Sequence, residues 1–133
     1  MRSLSLTIHT IPEPKIRVPL KAEFHYAVAD PLTVLVELHA SPSDAVRWVI
    51  SRDLLFDGTT EPSGLGDVRL WPSGSGTRRV MYMKLEAHGT SCLLEMDPEP
   101  LEKWLLETFA LVHPGTELCD VDWHAVTAGL MSD

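Results

Sequence analysis

The pattern of apolar residues along the first 50 positions constrains the fold of this chain most strongly. In four successive segments, 4–8, 22–28, 32–40 and 46–50, apolar residues occupy every second position and mostly polar residues lie between them. Side chains two residues apart on a β-strand point to the same face, so this spacing is typical of strands with one buried face. Asp30-Pro31 marks a turn between two of the segments. We therefore predict four antiparallel strands in succession.

The second half of the chain predicts three more strands. Segments 68–71, 80–85 and 92–96 consist mainly of apolar residues. His88-Gly89 lies between the last two and fits a hairpin turn that requires a positive φ angle. We expect Pro72 to end the first of these strands, because proline cannot donate a ladder hydrogen bond.

The apolar period changes after Asp97. From Leu101 to Val112 apolar residues recur every three or four positions, which places them on one face of a helix that Pro114-Gly115 ends. A shorter helix is predicted from Asp122, as its N-cap, to Leu130. About seven strands followed by two C-terminal helices predict an α+β fold, in which helices cover one face or end of an antiparallel sheet.

Two short segments separate the two groups of predicted strands. The first, 53–58, is too short for an independent helix. We interpret it as a connector in which Asp53 caps a helical turn that Gly58 ends. The second, 59–66, has the glycine and proline content of a loop.

Length and charge narrow the class of protein. The chain has 133 residues, which suits one hydrophobic core, and we treat 1–133 as a single domain. It carries 19 acidic against 11 basic residues, a net charge of -8, so its average surface repels nucleic acids and anionic membranes. No apolar stretch approaches the ~20 residues that span a bilayer. We expect a cytoplasmic protein without membrane insertion, in which Cys92 and Cys119 are thiols.

The sequence contains no pattern that nominates a catalytic residue. It lacks a Gly-x-Ser-x-Gly motif. Gly64-x-Gly66 precedes a predicted strand, whereas a phosphate-binding loop leads from a strand into a helix. His9, His25 and His39 all lie on the less apolar side of their strands, but without a closely spaced His/Cys pattern we expect solvated or hydrogen-bonded histidines. We therefore expect no enzyme activity, no cofactor and no metal ion.

Four tryptophans raise one alternative, a protein that stacks the bases of single-stranded nucleic acid on aromatic rings. Stacking sites normally come with a basic groove, and Arg78-Arg79 is the only tight basic pair beside a predicted strand. Trp48 lies on an apolar strand face and Trp104 on the apolar helix face, so packing is the favoured role for both.

The middle of the chain carries a distinctive motif in three blocks. It reads Tyr26-x-x-x-Asp30-Pro31, then Val46-x-Trp48-x-x-x-Arg52-Asp53-Leu54-Leu55-x-x-Gly58, then Pro62-x-Gly64-x-Gly66-Asp67-Val68-Arg69-x-Trp71-Pro72. In residue types and spacing this motif resembles that of the SsgA-like proteins, a family of small actinobacterial proteins that govern sporulation-linked cell division. The resemblance spans nearly the whole chain from about Tyr26.

The resemblance carries expectations about fold and partners. It implies a fold similar to the Whirly type, a bent antiparallel sheet with helices, assembled as a homotrimer through hydrophobic contacts. It also implies a role at the division septum, where a family member helps to position the tubulin-like protein FtsZ, so FtsZ and other SsgA-like proteins are the expected partners. No enzyme activity or cofactor is implied. Our leading hypothesis is a non-enzymatic adaptor of cell division, and the alternative is a Whirly-like binder of single-stranded nucleic acid, which the acidic charge argues against.

The motif itself has two interpretations. In the first, its apolar members pack in the core, namely Trp48, Leu54, Leu55, Val68 and Trp71. Arg52, Asp67 and Arg69 then form an ion-pair cluster that holds the connector against the sheet. In the second interpretation the charged residues contact a partner protein. We favour the first.

Overall fold

The structure is a computed structural model that describes residues 1–74 and 76–116. The strands are β1 (Arg2–Glu13), β2 (Ile16–Tyr26), β3 (Thr33–Ser41), β4 (Asp44–Ser51), β5 (Ser63–Leu65), β6 (Val68–Ser73), β7 (Val80–Ala87) and β8 (Thr90–Met96). The helices are α1 (Arg52–Gly58) and α2 (Pro98–Leu111), with a short 3₁₀ turn at Gly76–Arg78. The strands form one antiparallel sheet in the order β4-β3-β2-β1-β8-β7-β6-β5.

The first four strands are neighbours in the sheet, as their alternating pattern predicts. In β2, Ala22, Phe24 and Tyr26 are buried, and the residues between them point to the other side. We call the face with these buried side chains the inner face and the opposite one the outer face. Helix α2 covers part of the inner face, where the ring of Trp104 lies 6.3 Å from that of Phe24. The hydrophobic core therefore lies between α2 and the inner face.

Helix α2 forms as its apolar spacing predicts. Asp97 caps its start by accepting a hydrogen bond from the Glu99 N–H at 3.0 Å. Leu101, Trp104 and Leu105 are buried at the predicted three-and-four spacing. Neither α1 nor α2 is long and apolar enough to cross a membrane. The second predicted helix, 122–130, lies outside the described residues.

The turn between β7 and β8 is the hairpin turn that the sequence predicts. Ala87 pairs with Thr90, which leaves a loop of two residues. Both have positive φ, 53° at His88 and 76° at Gly89. Two such residues give the turn a twist that matches that of the strands, which fixes the register of the hairpin.

Two predictions about β5 and β6 are wrong. Strand β5 lies within the segment predicted to be a loop, and Gly66, at a φ of 64°, begins the turn that joins it to β6. Strand β6 continues through Pro72 instead of ending before it. Because β5 pairs only as far as Leu70, β7 is the one described strand beside β6 at Pro72, and the missing N–H is tolerated there.

The predicted connector is helix α1, and its cap differs from the prediction. Ser51, not Asp53, is the N-cap, because a first-turn N–H donates to the Ser51 Oγ at 3.2 Å. Asp53 lies in the first turn. Gly58 ends the helix as expected, but its main role is to make room, since a Cβ there would lie 2.5 Å from the Cβ of Leu70. Glycine lets α1 pack closely against β6.

Candidate functional site

An open apolar groove lies on the inner face, lined by strand residues alone. Its larger apolar side chains are Leu20, Leu38, Val46, Trp48, Leu85 and Cys92. The groove has a volume of about 340 Å³, and none of the described residues that line it is charged. Strands β3 and β4 form one side, β7 and β8 form the other, and β2 and β1 lie between them in the sheet. The sheet therefore curls around the groove, which confirms the predicted bent antiparallel sheet.

Apolar surface continues from the groove onto exposed parts of the sheet. Val46 is 54% exposed on the edge strand β4. Val18 and Ile16 precede Leu20 on the same face of β2 and are 44% and 46% exposed. Large apolar side chains in a continuous exposed surface are unusual on a monomer and are typical of interaction sites.

Arg52 is a buried cation that joins several elements of the fold. Its side chain lies at 1% exposure, and its Nη1 donates to the Tyr26 hydroxyl and to the Thr108 carbonyl oxygen, both at 3.1 Å. Its guanidinium carbon lies 5.1 Å from the ring centroid of Tyr26 and 4.5 Å from that of Phe109. The Tyr26 hydroxyl in turn donates to the Pro31 carbonyl oxygen at 3.0 Å. These contacts connect β2, the turn before β3, α1 and α2.

The predicted ion-pair cluster of Arg52, Asp67 and Arg69 does not form. Arg52 is directed into the interior, whereas Asp67 and Arg69 are exposed. The side chains of these two make no hydrogen bond or ion pair with any described residue. The alternation of β6 explains this, because Leu70 is buried on the inner face and its neighbour Arg69 must face outward.

Other motif residues order turns and close contacts. Asp30 accepts a hydrogen bond from the Thr33 hydroxyl at 3.0 Å, which orders the turn before β3. A Cβ at Gly64 would lie 2.8 Å from the Val68 carbonyl oxygen, so this position favours glycine. The apolar members that pack in or against the core as predicted are Leu55, Trp48, Leu54 and Val68.

Trp71 does not pack in the core as predicted but lies on the outer face. Its ring stacks on that of Tyr82, with 5.7 Å between the centroids and an angle of 29° between the planes. Arg69 and Lys84 lie opposite each other on the same two strands, two positions from the Trp71–Tyr82 pair. We call Arg69, Trp71, Tyr82 and Lys84 the outer patch. Tryptophan, tyrosine and arginine are enriched among the residues that dominate binding energy at protein interfaces.

An arginine–glutamate pair lies beside the outer patch. Arg17 donates to both carboxylate oxygens of Glu95, at 2.9 and 3.1 Å. This hydrogen bonding lowers the pKa of Glu95, although partial burial acts in the opposite direction. The Glu95 carboxylate raises the pKa of Tyr82, on the neighbouring strand.

Two histidines and two glutamates meet elsewhere on the outer face. Glu23 and Glu37 lie directly opposite each other on β2 and β3. The Nε2 of His25 lies 2.8 Å from a Glu37 oxygen and 3.3 Å from a Glu23 oxygen, and the Nε2 of His39 lies 3.9 Å from a Glu23 oxygen. We call these four residues the His–Glu cluster. Sequence reasoning placed both histidines on this face but did not combine them with the glutamates, although the spacing Glu-x-His occurs once in each strand.

These elements define a small α+β protein built on a curled antiparallel sheet. The chain belongs to the SsgA family, because its residues 20–117 match the family described as Streptomyces sporulation and cell division protein, SsgA. The family resemblance predicted from the central motif is therefore confirmed.

Similar proteins come from several actinobacteria. The sporulation-specific cell division protein SsgB of Streptomyces coelicolor is 37% identical over 115 residues, which cover 86% of this chain and 84% of the relative. The protein of the same name from Thermobifida fusca is 33% identical over 115 residues, which cover 86% of this chain and 83% of the relative.

Solved structures of the family share the fold. A structure of SsgB, whose mutations correlate to longitudinal cell division during sporulation of Streptomyces coelicolor, matches with a TM-score of 0.81 at 37% identity, over 86% of this chain and 91% of that one. The SsgA-like sporulation-specific cell division protein of Thermobifida fusca matches with a TM-score of 0.84 at 29% identity, over 98% of this chain and 95% of that one.

Proposed function

We propose that this chain is a non-enzymatic adaptor of sporulation-linked cell division that acts in the cytoplasm, at the division septum, by binding other division proteins. Membership of the SsgA family supports the biological role, since relatives are named sporulation-specific cell division proteins. The open groove supports the mode of action, because it offers an extended apolar surface with no charged lining residue among those described. Surfaces of this kind bind proteins.

The open groove is, in this proposal, the contact between copies of the chain in a Whirly-like homotrimer. Permanent interfaces between identical subunits are more apolar than transient ones, and the groove has the apolar lining of the former. A ring of three needs two different contact surfaces on each copy. Strand β4 offers the second, because it forms one edge of the sheet among the described strands and its Val49 is 64% exposed.

The accessibility of Cys92 tests this assignment, because Cys92 lines the groove and is already half-buried in the single chain. Alkylation by iodoacetamide, read at the Cys92 peptide by mass spectrometry, should be slow in the wild type and faster in Val46→Glu. Val28→Glu is the matched control, since Val28 is 57% exposed in a turn outside the groove. Equal rates in all three folded proteins would show that copies of the chain do not cover the groove.

The outer patch is the surface proposed to contact other division proteins. Arg69 supports this role because, although part of the family motif, it is exposed and makes no ion pair with the described residues. The test is co-purification of the chain with FtsZ and with another SsgA-like protein. Arg69→Glu should keep the fold and the oligomer but lose the partner, while Arg78→Glu, another exposed arginine, should keep both. If Arg69→Glu unfolds or dissociates the protein, the role of Arg69 is structural.

The outer patch also provides a test of the nucleic-acid alternative. Trp104 is buried and Trp48 lines the groove, which leaves Trp71 as the described tryptophan on the outer face. A single stacked pair on a chain of net charge -8 is a weak site for a polyanion. We expect no salt-dependent binding of a single-stranded oligonucleotide at physiological ionic strength, and measurable binding that Trp71→Ala abolishes would support the alternative.

A further inference from the structure

The His–Glu cluster differs from an ordinary surface ion pair because it brings two glutamates together with two histidines. Glu23 and Glu37 are like charges directly opposite each other on neighbouring strands, a pairing that destabilises a sheet unless cations compensate it. The four side chains are only 15–25% exposed. One possible ligand atom from each of Glu23, Glu37 and His39 lies within 4.8 Å of the other two. These three ligand atoms therefore converge on one small volume, and the Nε2 of His25 lies beside it, within reach of both glutamates.

The histidine nitrogens supply a second and independent observation. The Nε2 atoms of His25 and His39 are shielded from solvent, and neither makes a well-aligned hydrogen bond. The Nε2 of His25 is close to the Glu37 carboxylate without being aligned with it. The other ring nitrogen of His25, Nδ1, lies 2.7 Å from the Ser3 hydroxyl. Metal-binding histidines typically have their second nitrogen held by such a partner, which leaves Nε2 free to coordinate.

We propose that Glu23, His25, Glu37 and His39 form a zinc site that joins β2 and β3 on the outer face. Imidazole nitrogen and carboxylate oxygen are both zinc ligands. Bond lengths near 2.0 Å place two ligands of a tetrahedral zinc ion about 3.3 Å apart. The described distances of 2.8–3.9 Å between histidine nitrogens and glutamate oxygens bracket that value. This site departs from the sequence-based expectation of no metal and is independent of the adaptor proposal.

Four protein ligands would make the site structural. A catalytic zinc ion keeps one position open for water or substrate, whereas a structural one is closed by the protein. The ion would replace the repulsion between Glu23 and Glu37 with a bond from each to the same metal. We therefore expect zinc to stabilise the sheet between β2 and β3 and to supply no reactive group.

Neighbouring cations compete with the metal for the glutamates. The Lys21 ammonium lies 2.9 Å from a Glu23 oxygen, and the Arg47 Nε lies 3.0 Å from a Glu37 oxygen. Lys21 is mostly exposed and can turn into solvent when an ion enters. Lys21→Gln should therefore strengthen zinc binding.

Equilibrium dialysis against ZnCl₂, with protein purified without a polyhistidine tag, tests the site. The wild type should bind one zinc ion per chain. His25→Gln and His39→Gln should each weaken binding by about 10- to 100-fold, while Lys21→Gln should tighten it several-fold. His113→Gln is the matched control because His113 is exposed and outside the cluster, and it should bind like the wild type. Thermal melting with and without zinc gives a second readout. Zinc should raise the Tm of the wild type, Lys21→Gln and His113→Gln, which keep both histidines, and should have much less effect on His25→Gln and His39→Gln.

Three results would overturn the proposal. The first is that the wild type binds no zinc at concentrations up to about 100 μM. The second is that His25→Gln and His39→Gln bind zinc as tightly as the wild type does. The third is that His113→Gln loses as much zinc affinity as the two cluster variants. Circular dichroism separates loss of the site from loss of the fold, because a folded variant without zinc affinity supports the assignment and an unfolded one does not. If a histidine variant unfolds, Lys21→Gln carries the test, since tighter binding there requires competition for Glu23.

Discussion

Removing the Arg52 side chain should destabilise this protein more than removing any exposed arginine. Two hydrogen bonds from a charged donor, to Tyr26 and Thr108, contribute roughly 1.5–3 kcal/mol each. Stacking of the Arg52 guanidinium on the rings of Tyr26 and Phe109 adds about 1–2 kcal/mol in a desolvated site. Returning the guanidinium to water offsets part of this sum. We therefore expect Arg52→Ala to lower the free energy of unfolding by about 3–5 kcal/mol.

Urea unfolding followed by tryptophan fluorescence measures this loss, because Trp104 of α2 is buried beside Phe24 of the sheet. A loss of this size corresponds to a fall in Tm of about 10–20 °C for a chain of this length. Arg52→Lys should lose a large part of the same stability, since an ammonium keeps the charge but not the planar group that stacks on two rings. All proteins are compared at one concentration, because assembly makes stability concentration-dependent.

Arg78→Ala is the matched control, because Arg78 is exposed in the short 3₁₀ turn. Its stability should stay within about 0.5 kcal/mol of the wild type. If Arg52→Ala unfolds within about 1 kcal/mol of Arg78→Ala, then Arg52 does not hold the helices to the sheet, and the reasoning from its contacts is wrong.

Other predictions follow from single contacts. Gly58→Ala should lower stability by about 1–3 kcal/mol in a thermal melt, because its Cβ would overlap Leu70, and an unchanged Tm would contradict the close packing. The lowered pKa of Glu95 contributes stability that is present above the ordinary value of 4.5 and is lost as pH falls through the folded-state value. Glu95→Gln should therefore flatten the loss of stability below about pH 4.5, and an identical acid profile would show that Arg17 does not stabilise this carboxylate.

The strands and α2 could be predicted because their signals are local. The two-residue alternation in β2 and β3 assigns each side chain to a face, and the spacing from Leu101 to Leu105 gives α2 its buried side. Local patterns also place the hairpin turn at His88-Gly89. The cap of α1 was missed because Ser51 and Asp53 are both good capping residues, and the extended backbone at the end of β4 selects the first.

The contacts between distant residues could not be predicted from one sequence. Arg52 meets Tyr26, 26 positions earlier, and Thr108, 56 positions later, and no local pattern pairs them. The predicted pairing with Asp67 and Arg69 relied instead on their shared place in the central motif. The His–Glu cluster depends on strand register, because a slip of one residue between β2 and β3 would turn the histidines and glutamates of one strand to the inner face.

The solution mass of the purified chain, measured by light scattering over a range of concentrations, tests the central claim most directly. If the open groove is the contact between copies, the wild type should have three times the mass of one chain at micromolar concentrations, and Val46→Glu should dissociate while Val28→Glu does not. A wild-type protein that remains a monomer at about 100 μM, well above the Kd of a stable interface, would contradict the account.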